Sequence, residues 1–211
     1  MATSTMHNFI LKLAKLFVNK KKDVLFFTKD IFILSPYEIG EYTYGEPKVL
    51  YDNPDSMLKI GKFCSIAKGV TIYLGGNHRI DWISSYPFNV IRNFPEASNI
   101  QGHPATKGSV IIGNDVWLGR HSTIMSGVNI GNGVVVGAYS VVTRSIGPYE
   151  IWAGNPAKFV RRRFDEEIIT KLEEIQWWNW DIMKIRRYIK ILCTPDVDRL
   201  IEISKDNSIG H

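Results

Sequence analysis

Aliphatic residues recur every six positions, at Ile60, Ile66 and Ile72 and again at Ile112, Leu118, Ile124, Ile130, Val136 and Val142. A fixed repeat of this kind constrains the fold more than any local propensity does. Six matches neither the 3.6-residue period of a helix nor a heptad, so no helix keeps these side chains on one face. It matches a parallel β-helix, in which each hexapeptide makes one short strand and a corner and the aliphatic side chain enters a prism-shaped core. A small residue commonly follows, at Gly61, Ala67, Gly113, Gly119, Gly131 and Gly137, and is expected to permit the tight bend.

The two runs are out of phase, because 72 to 112 is forty residues, which is not a multiple of six. An insertion over about 75–109 accounts for this, and Asn77, Pro87, Asn93, Pro95, Asn99, Gly102 and Pro104 supply its turn chemistry. Long excursions from a rigid scaffold are where function tends to reside. The fragment from Ile39 to Tyr44 adds an upstream hexapeptide, followed by a second excursion at 45–58. The β-helix is thus expected over 36–160, between an N-terminal basic segment at 1–35 and a C-terminal helical extension at 161–211. In that extension Asp165 can cap a helix carrying Ile168, Ile169, Leu172 and Ile175, and a second helical pattern runs through Ile182, Ile185, Ile189 and Leu192. Between them Trp177, Trp178 and Trp180 form either a stacking platform or core that attaches the helices to the scaffold. The core reading is favoured.

Composition narrows the function classes. With 45% hydrophobic and 22% charged residues the chain is neither disordered nor membrane-spanning. Two cysteines, Cys64 and Cys193, make no disulfide framework and no four-thiolate zinc site, and a cytoplasmic location is the expectation. The net charge of +5 sits mostly in residues 1–35, where six lysines face Asp23 and Asp30. The remaining chain is nearly neutral, which argues against a nucleic-acid partner. Phe9, Ile10, Leu13, Leu16 and Phe17 recur at helical spacing among the lysines and no cleavage site follows, so the segment reads as an amphipathic helix. It could touch a membrane surface or a partner, or dock on its own protein, and docking is favoured.

Of the five histidines, His78 stands apart, in the polar turn Gly75-Gly76-Asn77-His78-Arg79 at the start of the insertion. An imidazole there could take a proton from a hydroxyl, although a lone loop histidine is more often structural. His78, His103 and His121 do not have the spacing of a zinc triad, so no metal is expected. Cys64 could be a nucleophile, but a small residue packed at a coil position explains it better. No phosphate-binding loop, dinucleotide fingerprint or serine-hydrolase elbow is present in the sequence. Lys158, Arg161, Arg162 and Arg163 read either as a solvated basic face at the start of a helix or as the holder of a phosphorylated cofactor lying along the coils.

The stretches IGKFCSIAKGVTI, GGNHRIDWISSYPFN, IIGNDVWLG, IMSGVNIGNGVVVGAYSVV, PYEIWAGNPAKFVRRRF and WWNWD, spanning residues 36–181, resemble the hexapeptide-repeat acyltransferases. The likeness is to the xenobiotic acetyltransferase branch, which includes streptogramin and type B chloramphenicol acetyltransferases. The resemblance implies a left-handed parallel β-helix, a homotrimer, and acetyl-CoA lying in a cleft between two subunits, with no metal. His78 matches the catalytic histidine that deprotonates the acceptor hydroxyl, and a backbone N–H is expected to stabilise the oxyanion. Trp117 and Gly119 match positions beside the thioester arm. Gly137, Ala138, Ala153, Gly154, Asn155, Pro156, Lys158 and Arg161 match the stretch along the rest of the cofactor.

Tyr37, Tyr86, Phe88 and Asp81 are the expected acceptor contacts, although Tyr86 and Phe88 could simply anchor the insertion and Asp81 could orient His78 or cap a turn. Antibiotic-modifying relatives generally carry a longer excursion after the motif matching GEYTY, whereas only 45–58 intervenes here. The expected activity is therefore O-acetylation of a sugar or surface-glycan precursor. The alternatives are antibiotic O-acetylation, amino-sugar N-acetylation, and a non-catalytic β-helix scaffold.

Overall fold

The computed structural model describes residues 26–52 and 54–205. The amphipathic helix expected around residues 9–17 lies outside them. The described chain opens with a single helical turn, α1 (Thr28–Ile31). Three sheets then form the faces of a prism. The first holds β1 (Glu38–Ile39), β3 (Leu58–Ile60), β6 (Val110–Ile112) and β9 (Asn129–Ile130). The second holds β4 (Ser65–Ile66), β7 (Trp117–Leu118), β10 (Val135–Val136), β12 (Glu150–Gly154) and β13 (Ala157–Arg162). The third holds β2 (Lys48–Leu50), β5 (Thr71–Tyr73), β8 (Thr123–Ile124) and β11 (Val141–Val142).

From β3 to β11 each strand passes to the next sheet and pairs, parallel, with the strand three hexapeptides on. Ile112 faces Ile130, Leu118 faces Val136 and Ile124 faces Val142. The insertion does not disturb this register, since Ile60 faces Ile112, Ile66 faces Leu118 and Ile72 faces Ile124. None of the nine aliphatic repeat residues is more than 3 % exposed. They form one continuous column of core, each side chain contributing about 1.5–3 kcal/mol by leaving water.

The small residues act differently from the expectation. The bend is made three positions after the aliphatic residue, by a left-handed residue: Phe63, Asp115, His121 and Tyr139 all have φ between 54° and 58°. These left-handed residues stack from coil to coil, with the Asp115 N–H donating to the Lys62 carbonyl and the Gly133 N–H to the Asn114 carbonyl. The small residues are required instead by close approach. A Cβ at Gly61 would lie 2.6 Å from the Gly113 carbonyl carbon, and one at Gly119 would lie 2.6 Å from the Ala138 nitrogen.

An asparagine ladder reinforces one corner. The Asn114 side-chain oxygen accepts from the Lys62 N–H, and the Asn132 oxygen accepts from the Asn114 N–H, both at 2.8 Å. Asn132 passes its amide on to Glu173. Asn132→Ala is expected to cost about 1–3 kcal/mol in chemical unfolding, because it strands a half-buried backbone donor.

Two expectations need correction. The segment 45–58 is not wholly an excursion, since β2 lies within it and pairs with β5 in the third sheet. Likewise, Arg161 and Arg162 lie not at a helix start but on β13, which pairs antiparallel with β12 and so extends the second face. The helical extension then follows as α2 (Glu166–Ile175), α3 (Ile182–Leu192) and α4 (Val197–Ser204), the last not foreseen. Asp165 precedes α2 without a side-chain capping bond, whereas Asp181 and Asp196 cap α3 and α4 through the N–H groups of Met183 and Arg199. Trp178 is 2 % exposed in a second core with Tyr149, Ile169, Leu172, Leu200 and Ile203, against which Trp177 and Trp180 pack. The tryptophans therefore attach the helices to the scaffold.

Candidate active site

The insertion leaves the prism after β5 and is closed at its neck by paired backbone hydrogen bonds between Asn77 and Ala105, at 3.0 and 2.7 Å. Asn77 also donates its side-chain amide to Ser126 at 3.0 Å. The neck fixes where the next residue, His78, stands. Its side chain is exposed, and Nδ1 lies 2.8 Å from the Ser85 carbonyl oxygen. A carbonyl only accepts, so Nδ1 carries the hydrogen and Nε2 is left as the lone-pair nitrogen of the neutral ring. That is the arrangement a general base requires: one nitrogen anchored, the other able to take a proton.

Asp81 does not orient this imidazole. Its carboxylate is paired with Arg79, whose Nε donates to Oδ1 at 2.7 Å and whose Nη2 donates to Oδ2. Hydrogen bonding to Arg79 lowers the Asp81 carboxyl to about 2. Arg79 in turn lies over the Trp82 ring, 5.2 Å from its centroid. Beneath His78 sits His103, 7 % exposed, with its ring 4.7 Å away at 80°. Sequence reading considered His103 only as a metal ligand and set it aside; nothing in a loop without periodicity indicated that the chain would fold back to place the two imidazoles in contact. His121 is elsewhere, stacked on Tyr139 at 5.1 Å. Among the described residues no group of three or more His, Cys, Asp or Glu is placed to hold a metal ion.

The residues expected to hold the cofactor fall together on a different corner, the edge that follows the second sheet. Trp117 projects outward from β7, 55 % exposed. Two residues on, Gly119 donates its N–H to the Val136 carbonyl of the next coil, where Gly137 donates its N–H to the Trp152 carbonyl, each at 2.8 Å. Ala138 is exposed beside them, and the β12–β13 turn brings up Ala153, Gly154, Asn155, Pro156 and Lys158, all exposed. Bulk is excluded along this edge, since a Cβ on Gly137 would lie 2.9 Å from the Ala153 Cβ. An open groove of about 870 Å³ runs along β13 past Arg161 and Arg162. Within the basic run Arg162 pairs with Glu166, and Arg163 pairs with Asp115 and the Gly133 carbonyl, while Lys158 and Arg161 face solvent.

Tyr37 lines a separate hollow of about 540 Å³ with Asp52, Ser56 and Met57. Burial, reinforced by Asp52, pushes its phenol up to about 12, so it is a neutral donor at any working pH. Tyr86 and Phe88 cluster with Phe94: the Tyr86 and Phe88 ring centroids lie 4.8 Å apart, and Phe94 lies 5.0 Å from Phe88. They hold the insertion together while remaining 46 % and 40 % exposed.

Cys64 offers no chemistry. Burial pushes its thiol up to about 11, and Sγ donates to the Gly113 carbonyl at 3.1 Å. A disulfide reagent is expected to modify exposed Cys193 in the native protein and Cys64 only after unfolding; rapid labelling of both thiols would contradict the burial.

The repeat matches the bacterial transferase hexapeptide family (six repeats) over residues 109–144. A chloramphenicol acetyltransferase of Klebsiella aerogenes is 41% identical over 148 residues, 69% of this chain and 70% of that one. A virginiamycin A acetyltransferase of Staphylococcus aureus is 41% identical over 175 residues, 77% of this chain and 79% of that one. Among solved structures, a galactoside acetyltransferase in complex with coenzyme A aligns with a TM-score of 0.45 at 27% identity, over 63% of this chain. The alignment spans 58% of that protein, a little over half its length. A left-handed parallel β-helix with C-terminal helices, carrying an exposed histidine on its excursion and this degree of likeness over more than two thirds of its length, places the chain in the hexapeptide-repeat acetyltransferases, in the branch of the chloramphenicol and virginiamycin enzymes.

Proposed function

We propose that the protein transfers an acetyl group from acetyl-CoA to a hydroxyl of a sugar or surface-glycan precursor, with His78 as the general base. The observation that carries this reading is the exposed His78 ring, with Nδ1 anchored on the Ser85 carbonyl and Nε2 left to accept. Acetyl-CoA supplies the activated thioester: Nε2 removes the acceptor's proton as its oxygen attacks the thioester carbonyl, the C–S bond breaks, and CoA leaves as the thiol by taking that proton from the imidazolium. The second-sheet edge fits the donor: flat at Gly119, Gly137 and Ala138, walled by the indole of Trp117, and ending at the cations Lys158 and Arg161, which suit phosphate groups.

His78 and this edge leave the prism from different corners. That separation supports a site completed between subunits of a homotrimer, each interface joining one protomer's histidine to its neighbour's cofactor edge. Tyr37, Tyr86, Phe88 and Asp81 are the proposed acceptor contacts. A glycan is favoured because residues 45–58, built into the coils through β2, provide no long excursion to enclose a drug. Free Cys64 and Cys193 suit a reducing cytoplasm, and among the described residues no helix is long and apolar enough to cross a membrane.

A second reading, antibiotic O-acetylation, is favoured by the likeness to the chloramphenicol and virginiamycin acetyltransferases. Free-thiol release from acetyl-CoA, screened against sugars, oligosaccharides, chloramphenicol and a streptogramin A, separates the two. Release with a glycan alone supports the first reading, and efficient release with a drug replaces it with the second. The absence of both release and CoA binding by calorimetry would remove both readings and leave a scaffold.

A further inference from the structure

Among the described residues the His78 ring makes one hydrogen bond, from Nδ1 to the Ser85 carbonyl. With the covalent attachment at Cβ this holds one side of an exposed ring and leaves the Nε2 side able to rock about the line joining the two. A pivot of an ångström at Nε2 is enough to take a base out of reach of its hydroxyl. The contact that blocks the pivot is His103, whose ring meets the His78 ring at 80° with centroids 4.7 Å apart.

His103 is itself firmly placed. Its carbonyl accepts from the Asn89 side-chain amide at 2.6 Å, the Trp82 ring lies 6.2 Å away, and the Asn77–Ala105 neck pins the chain two residues on. Yet among the described residues neither of its ring nitrogens has a hydrogen-bond partner, although both are buried. A buried polar atom without a partner is a stability cost, and such costs concentrate where a site requires them. What His103 offers His78 is the packing of a fixed ring in a T-shaped contact.

We propose that His103 is the positioning residue for the general base, holding the His78 ring in the plane that directs Nε2 at the acceptor. This rests on the reading of His78 as the base. Burial, followed by repulsion from His78 and Arg79, lowers the His103 pKa, which favours the neutral ring beside a base that must accept a proton. Arg79 is neutralised in turn by Asp81.

The test compares His103→Phe, which keeps a flat ring and removes the unpartnered nitrogens, with His103→Leu, which fills the space without one. Both are measured in the full-length protein. His103→Leu is expected to lower kcat by about 10- to 100-fold with KM for acetyl-CoA unchanged, and His103→Phe to stay within about threefold of the parent. The melting temperature of His103→Phe should equal or exceed the parent's. Independently of activity, ¹⁵N-histidine spectra should show His78 as a single Nδ1–H tautomer in the parent and in His103→Phe, and as a mixture in His103→Leu.

The proposal is overturned if His103→Leu keeps the parent kcat, if both variants lose activity equally, or if the loss in His103→Leu accompanies an unchanged His78 spectrum. Failure of the underlying reading is distinguishable. In that case His78→Ala would keep its activity, whereas an inactive His78→Ala beside a fully active His103→Leu sinks only the role of His103.

Discussion

His78→Ala is expected to lower kcat by about 10²- to 10⁴-fold, the range over which a well-placed general base contributes. The melting temperature should barely move, because the His78 side chain is exposed and, among the described residues, its one hydrogen bond is to a surface carbonyl. Affinity for acetyl-CoA should also hold, since the proposed donor contacts lie along the glycine-lined edge and at Lys158 and Arg161, whereas His78 acts on the acceptor's proton. The change is therefore a loss in kcat rather than in donor KM, which is the signature of an interaction made in the transition state. Thiol release with whichever acceptor proves active, alongside calorimetry with CoA, measures both parts. Activity within about threefold of the parent would assign the base elsewhere, and a parallel loss of CoA binding would assign His78 to the donor site instead. His78→Asn adds a finer reading, because its amide can still donate to the Ser85 carbonyl but offers no basic nitrogen; it should be as inactive as the alanine variant.

The coils were legible because a period of six leaves a signature that no other fold produces, and the structure keeps each of those aliphatic positions inside. What fails to repeat was not legible. Ile39, Tyr44 and Val49 are five apart, so the first coil falls out of period, and β2 read as part of an excursion until its pairing with β5 placed it in the third sheet. The corners were half legible. Glycine takes the left-handed turn at Gly69, Gly127 and Gly133, as it does in most sequences, yet Phe63, Asp115, His121 and Tyr139 take it at other corners, because each passes its N–H to the coil before it and the stack outweighs the local cost. The basic run at Lys158 to Arg163 has no strand signature of its own and becomes one only by pairing with β12. His78 could be singled out from its turn and its resemblance, whereas His103 acquires meaning only through a contact across a loop whose path no local pattern encodes.

Strand β7 offers the largest expected stability effect together with its own internal control. Leu118 is fully buried and Trp117, the residue before it, is 55 % exposed on the opposite side of the same strand. Leu118 lies mid-column, paired in register with Ile66 on one side and Val136 on the other, so no free end of the helix can relax into the space it leaves. Leu118→Ala is accordingly expected to cost about 2–5 kcal/mol, read by chemical unfolding at a fixed protomer concentration. Trp117→Ala removes a larger side chain, yet should change the protomer's stability by no more than about 0.5 kcal/mol, since it opens no cavity. Its effect should appear instead as weaker binding of CoA in calorimetry, if the indole walls the thioester arm as proposed. The pair thus separates the two faces of one two-residue strand: inward for the fold, outward for the donor. A Leu118→Ala protein as stable as the parent would mean that the column is not the continuous core its register describes. A Trp117→Ala protein with undiminished CoA affinity would move the donor off this edge while leaving the fold, and His78 on its excursion, as they stand.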